Sequence, residues 1–168
     1  MTRALGAASS VDSMLELRPS SPATPESHTI LAQYFALRAE AFPGGSYTTV
    51  FPSPEAFEAP AGVFLLAGPV GEPVGCGGIR RLADSEAGIR YEVKHLFLKP
   101  VTRGQGWGRA ILDELERRAR AWDAAELVLD THHTLEAAGG LYARSGFEQI
   151  DAYNDNRNAT RWYRKSLR

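Results

Sequence analysis

Apolar positions along the chain switch between two periods, and the switches predict its elements. Ile30, Leu31, Tyr34, Phe35, Leu37 and Phe42 recur at helical spacing. Ahead of them, Thr24, Pro25 and Glu26 supply a capping side chain, a proline suited to the first helical position and an acid for the first turn. Pro43-Gly44-Gly45 ends that helix. A second helix is predicted over 106–122, where Ile111, Leu112, Leu115, Ala119 and Trp122 share one face and Arg109, Asp113, Glu116, Arg117 and Arg120 the other. A third spans 134–144 and stops at Gly146.

Short alternating or continuously apolar runs predict strands at 15–18, 63–67, 74–80, 89–98, 127–129, 147–150 and 161–165. The turn 68–73 makes a hairpin of the second and third, and 83–87 turns the chain into the fourth. Between Ser46 and Gly62 prolines break every period, so this stretch reads as a mobile, lid-like segment with about two helical turns at SPEAFEA. The order β, α, β, β, β, α, β, α, β, β mixes hairpins with helical crossovers. It predicts an α/β fold of three layers, α/β/α, with a mixed central sheet.

Composition narrows the function more than the fold. At 168 residues the chain fits one domain, expected over 14–168, behind a tail over 1–13 expected to be disordered. That opening stretch lacks the apolar core of a signal peptide and the arginine density of a transit peptide. No apolar run approaches the ~18 residues of a membrane span, so no membrane partner is expected. A net charge of -1 gives no general basic field, which argues against nucleic acid and means that an anionic ligand must be held locally. The single cysteine, Cys76, has neither a disulfide partner nor a Cys/His cluster. That fits a cytoplasmic location and a protein without a metal site.

The chemistry concentrates in RGQGWG, where Gly104, Gly106 and Gly108 alternate just before the second helix. A helix start leaves amides without intrahelical partners, pointing along one axis with partial positive charge. Glycines remove the Cβ atoms that would keep an anion from those amides, and a pyrophosphate suits the geometry best. A dinucleotide fingerprint fails because Arg109 stands beside the third glycine, and a P-loop fails because no lysine follows Gly108. A tight strand-to-helix turn without a ligand is the other reading.

These residues resemble the GNAT superfamily of acyl-CoA-dependent N-acyltransferases. Its [Q/R]-x-x-G-x-[G/A] signature is met by Arg103 to Gly108, and its A-x-x-L-Y-x-x-x-G-F signature by Ala138, Leu141, Tyr142, Gly146 and Phe147. The stretch YEVKHLFLKPVTRGQGWGRAIL is similar to the family's fourth strand, loop and third helix. One departure is Leu135, where many members carry an asparagine seven residues before the tyrosine.

The resemblance implies acetyl-CoA as acyl donor and direct transfer of the acetyl group to a primary amine in a ternary complex. A small-molecule acceptor is expected ahead of a protein or peptide amine, and a non-catalytic acyl-CoA-binding or sensing module is the rival reading. Leu96, Phe97 and Leu98 would bind pantetheine through main-chain atoms, with an amide near Leu96 polarising the thioester carbonyl. Arg103, Gly104, Gln105, Gly106, Trp107, Gly108 and Arg109 would hold the pyrophosphate, with the Trp107 side chain in the core. Tyr142 would donate a proton, or a hydrogen bond, to the departing thiolate.

A lysine-like ammonium is only about 0.1% neutral near pH 7.4, so its proton must go somewhere. Glu92 stands where some members place a catalytic glutamate and is the first candidate base; an ion pair with Lys94 is the alternative. His132 and His133 come next, read otherwise as solvated loop histidines, and water is the remaining acceptor. Cys76 reads as an inert buried thiol. Many members of the family pair, so a homodimer is a candidate assembly.

Overall fold

The computed structural model describes residues 15–168. The tail expected at 1–13 lies outside them. Seven strands form one sheet: β1 (Leu17–Ser20), β2 (Gly62–Ala67), β3 (Gly75–Arg81), β4 (Arg90–Leu98), β5 (Glu126–Thr131), β6 (Glu148–Ile150) and β7 (Arg161–Ser166). Their order across the sheet is β1-β2-β3-β4-β5-β7-β6. Only β4 and β5 run parallel, because α2 (Trp107–Ala121) carries the chain back between them.

Helices cover both faces. On one, α1 (Pro25–Ala41) buries Ile30, Leu31 and Phe35 against Phe64, Leu66 and Phe97 of the sheet. On the other, Ile111, Leu112, Leu115 and Ala119 of α2 pack with Leu65, Ile79, Val93 and Leu127, joined by Tyr142 of α3 (Glu136–Arg144). α1 starts as its sequence predicts: Thr24 caps it by accepting from the Ser27 amide at 3.2 Å, with Pro25 in the first turn. α3 begins two residues later than predicted, because the Thr134 hydroxyl pairs with His132 Nδ1 at 2.7 Å and caps nothing.

One irregularity governs the rest. Gly78 pairs with Lys94 and Cys76 with Phe97, so Gly77 alone faces two residues, His95 and Leu96. His95 takes the bulge position with φ 57°. The extra residue flips the strand: Tyr91 and Val93 point into the α2 core before it, Leu96 and Leu98 after it, and Phe97 now joins the α1 core. Gly77 makes room for this, since a Cβ there would lie 2.9 Å from Ile111 and 3.2 Å from Leu96.

The segment expected to be lid-like is irregular, as its prolines imply, but it is tied down. Short 3-10 turns occupy Pro43–Gly45 and Pro54–Phe57. Phe51 lies between the His28 and Phe35 rings, and Phe57 is buried beside Phe64. The Asn158 side chain clamps Thr48 from both sides, accepting from its amide at 3.2 Å and donating to its carbonyl at 2.8 Å.

Candidate active site

Parallel pairing between β4 and β5 covers only Arg90, Tyr91 and Glu92. Beyond Glu92 the strands part, while β4 keeps its antiparallel partner β3 through to Leu98. The main-chain groups of β4 on its β5 side therefore open into a slot. A cavity of about 860 Å³ fills it, walled by Leu96, Phe97 and Leu98 on one side and by Leu141 and Tyr142 of α3 on another.

The far end of that cavity is the start of α2. Gly104 and Gly106 have φ of 83° and 78°. A Cβ on either would meet nothing within 4 Å, so the glycines serve backbone conformation, and the space above them is open. Gly106 is the residue before the helix, and among the described residues no side chain caps it. Amides at this helix start therefore present partial positive charge to the cavity, where an anion would be favoured.

Arg103 and Arg109 flank the same wall, each partly engaged: Arg103 Nε donates to the Leu98 carbonyl at 3.3 Å, and Arg109 reaches Asp113 and the Arg144 carbonyl. Gln105 is exposed and does not line the cavity. Trp107, expected in the core, is only half-buried and forms part of the cavity wall, because the α2 core face begins at Ile111.

A second cavity of about 490 Å³ lies on the α1 side of the slot, roofed by the Thr48-clamped segment and walled by Phe35, Tyr47 and Phe51. The two cavities share Tyr34, Arg38, Leu96, Leu135, Ala138 and Tyr142. Tyr142 is 6% exposed, and its ring packs on Phe147 and Tyr163. Burial raises its phenol well above the usual range, so the group stays protonated and acts as a donor.

Where β4 and β5 part, a polar cluster replaces the missing main-chain pairing. Lys94 Nζ reaches across the gap to Asp130 at 3.1 Å. Asn154 bridges Asp130, at 2.7 Å, and Glu92, at 3.4 Å, and is itself held by Trp162 Nε1 at 2.8 Å. Burial alone would raise the Asp130 carboxyl, but the Lys94 ammonium and the amides of Asn154 and Asn156 overcome it and hold the group below its ordinary value. His95, facing the same cavity, is pushed down to about 3 by burial, with the Lys94, Arg80 and Arg38 charges adding to the effect. Its imidazole is neutral at any physiological pH.

Glu92, expected to face the slot as a base, is placed elsewhere. It is 1% exposed and lines neither cavity. Arg80 takes one carboxylate oxygen at 2.8 and 2.9 Å, with Lys94 at 3.6 Å, and the Tyr153 hydroxyl donates to the other at 2.6 Å. This is the ion-pair alternative, enlarged by residues that are distant in sequence. His132 is not solvated but buried, stacked on His133 and paired with Thr134; His133 is exposed and pairs with Thr160. Neither histidine lines either of these two cavities. Cys76 is fully buried, its thiol pushed up by burial and donating to the His95 carbonyl at 3.2 Å.

Sequence reasoning missed Arg38, Arg80, Asp130 and Asn154. Asn154, Asn156 and Asn158 stand at alternate positions in DAYNDNRNAT, a density of short amide side chains that signals a hydrogen-bonded loop. The bulge, by contrast, is legible in the residues themselves: the apolar alternation Tyr91, Val93 slips one residue before resuming at Leu96, Leu98.

Comparisons with known proteins agree with this geometry. The sequence profile of the acetyltransferase (GNAT) family matches residues 29–147. An IAA acetyltransferase of Azospirillum brasilense is 39% identical over 84 residues, 50% of this chain and 53% of that protein. An uncharacterised N-acetyltransferase of Escherichia coli (strain K12) is 31% identical over 97 residues, 58% of each. The chain thus spans only about half the length of the curated relatives it matches. Among solved structures, a candidate acyl-CoA N-acyltransferase of Klebsiella pneumoniae subsp. pneumoniae superposes with TM-score 0.71 at 28% identity, over 93% of this chain and 99% of the other. A GNAT family acetyltransferase of Elizabethkingia anophelis with acetyl-CoA bound has TM-score 0.61 at 18% identity, over 91% and 98%, which speaks for the fold.

Proposed function

Because the chain belongs to the acetyltransferase (GNAT) family, we propose that it moves an acetyl group from acetyl-CoA directly to the primary amine of a small molecule. Donor and acceptor are bound together in this reading. The observation that carries it is the meeting of two cavities at Leu96 and Tyr142, one ending on open helix amides and the other walled by aromatic side chains. Holding amine and acyl group together at such a junction supplies much of the rate gain.

Acetyl-CoA, when bound, supplies the activated thioester. The amides of 104–108 would hold its diphosphate, and the main-chain groups of Leu96 to Leu98 on the side away from β3 would hold the pantetheine arm. An amide at Leu96 polarises the acyl oxygen without reorganising, a contribution of a few kcal/mol. The Tyr142 hydroxyl donates a hydrogen bond to the sulfur as it departs. With its phenol raised, full proton transfer is uphill and the hydrogen bond is its contribution.

No side chain is assigned as general base. Glu92 is enclosed by Arg80, Lys94, Tyr153 and Asn154 and holds the parting strands in place. Burial first, and then the Lys94, Arg80 and Arg38 charges, keep His95 neutral; the same surroundings disfavour a bound ammonium, so the acceptor loses its proton to water more readily in the cavity than in bulk solution. A roofed cavity of about 490 Å³ supports a small acceptor over a protein chain.

A panel of primary amines with acetyl-CoA, read by free thiol release and by mass of the acetylated amine, tests the proposal. At least one amine is expected to accelerate thiol release over the blank with matching product. If none does, the enzyme reading fails and an acyl-CoA-binding module is what remains.

A further inference from the structure

Resting on that reading of the second cavity as the acceptor site, we propose that the acceptor carries a carboxylate beside its amine. It is an amino acid, or a molecule of the same build, with an apolar or aromatic side chain, and Arg38 holds its carboxylate.

The argument begins with charge. Arg38, Arg80, Lys94 and Asp130 line the cavity, with Glu92 directly behind its wall. Arg80 is matched by Glu92, and Lys94 by Asp130 and Glu92. Among the described residues, Arg38 has no carboxylate partner. A guanidinium in a half-enclosed site presents five donors, and here one goes to the Tyr34 hydroxyl at 3.0 Å and another to the Asn158 carbonyl at a marginal 3.5 Å. The Tyr34 and Tyr47 rings flank it, with centroids 5.8 and 5.4 Å from Cζ. They fix the planar group facing the cavity while adding no negative charge to satisfy it.

A fixed guanidinium with spare donors matches the two oxygens of a carboxylate. The surplus is one positive charge, which suits a carboxylate better than a phosphate near two negative charges. Phe35, Tyr47 and Phe51 supply the apolar remainder of the wall. Since Arg38 also stands at the junction beside Leu96 and Tyr142, a carboxylate held there leaves the neighbouring amine close to the acyl group.

The test is binding, so that it can fail separately from turnover. N-acetyl-L-phenylalanine and its amide, stand-ins for the product with and without the carboxylate, are titrated calorimetrically into the protein saturated with CoA. One charge-assisted contact predicts about ten-fold tighter binding of the acid. Arg38→Gln is expected to abolish that ratio and Arg38→Lys to keep part of it, each variant being titrated at a CoA concentration that saturates it. Equal binding of acid and amide by the wild-type protein, binding of neither, or a preference that survives Arg38→Gln overturns the proposal. The wild-type comparison needs no variant to fold. Thiol release driven equally well by phenylalanine and by phenethylamine would also overturn it while leaving the acetyltransferase reading intact; an acid preference without any thiol release would do the reverse.

Discussion

Glu92 shows how a residue's neighbours decide its role. Its carboxylate is buried and matched by Arg80 and Lys94, so Glu92→Gln leaves those cations short of a partner. Arg80 is 41% exposed, which places the cost near the low end for a broken buried pair, about 3 kcal/mol. Urea denaturation is expected to show that loss while the folded fraction keeps the parent's kcat and pH–rate profile; a large fall in kcat with loss of the acidic limb, at full stability, would restore Glu92 as the base. Tyr142→Phe removes one hydroxyl from a buried ring and should lower kcat on the order of 10²-fold, with the KM for acetyl-CoA little changed. His95 is a pH-sensitive element of stability. Its folded value lies below the ordinary 6.5, so the unfolded chain takes up the proton first, and stability held above 6.5 is lost as pH falls toward about 3. Between pH 7 and 5 the loss is about 2 kcal/mol. His95→Asn, which tolerates positive φ, should flatten that slope by the same amount relative to wild type in paired denaturation curves.

At the scale of elements, the helices were the most legible parts. The predicted 106–122 helix is observed as Trp107–Ala121, because its apolar face and glycine-rich start both lie in local sequence. The loop glycines stand out for the same reason, and Tyr142 through a short signature that resembles the family's. Of the partners of Glu92 only the neighbouring Lys94 could be picked out: Tyr153 stands 61 residues away, and only the fold brings it to the carboxylate. The clamp of Asn158 on Thr48 is equally non-local, and it fixes Tyr47 and Phe51 beside the second cavity. Asn158→Ala removes two hydrogen bonds from that roof. The expected cost is about 1 kcal/mol of acceptor binding, roughly five-fold in acceptor KM, with CoA affinity unchanged in calorimetry.

Across the whole molecule, the bulge at His95 and the early end of β4–β5 pairing produce two cavities that share a junction. Two polar anchors serve them: open amides at the start of α2 at the far end of one, and Arg38 at the junction, facing the other as well. The first anchor is the more fundamental, because the acyl donor must be held before any acceptor matters. A Cβ on Gly106 would meet nothing but would strain a backbone at φ 78°, tilting the amides away from a bound diphosphate. The most direct measurement is a calorimetric titration of CoA into the wild-type protein and into Gly106→Ala. The account predicts saturable binding to the wild type, weakened on the order of ten-fold in the folded variant. Absence of binding to the wild type at millimolar CoA, or equal affinity in the two proteins, would contradict it.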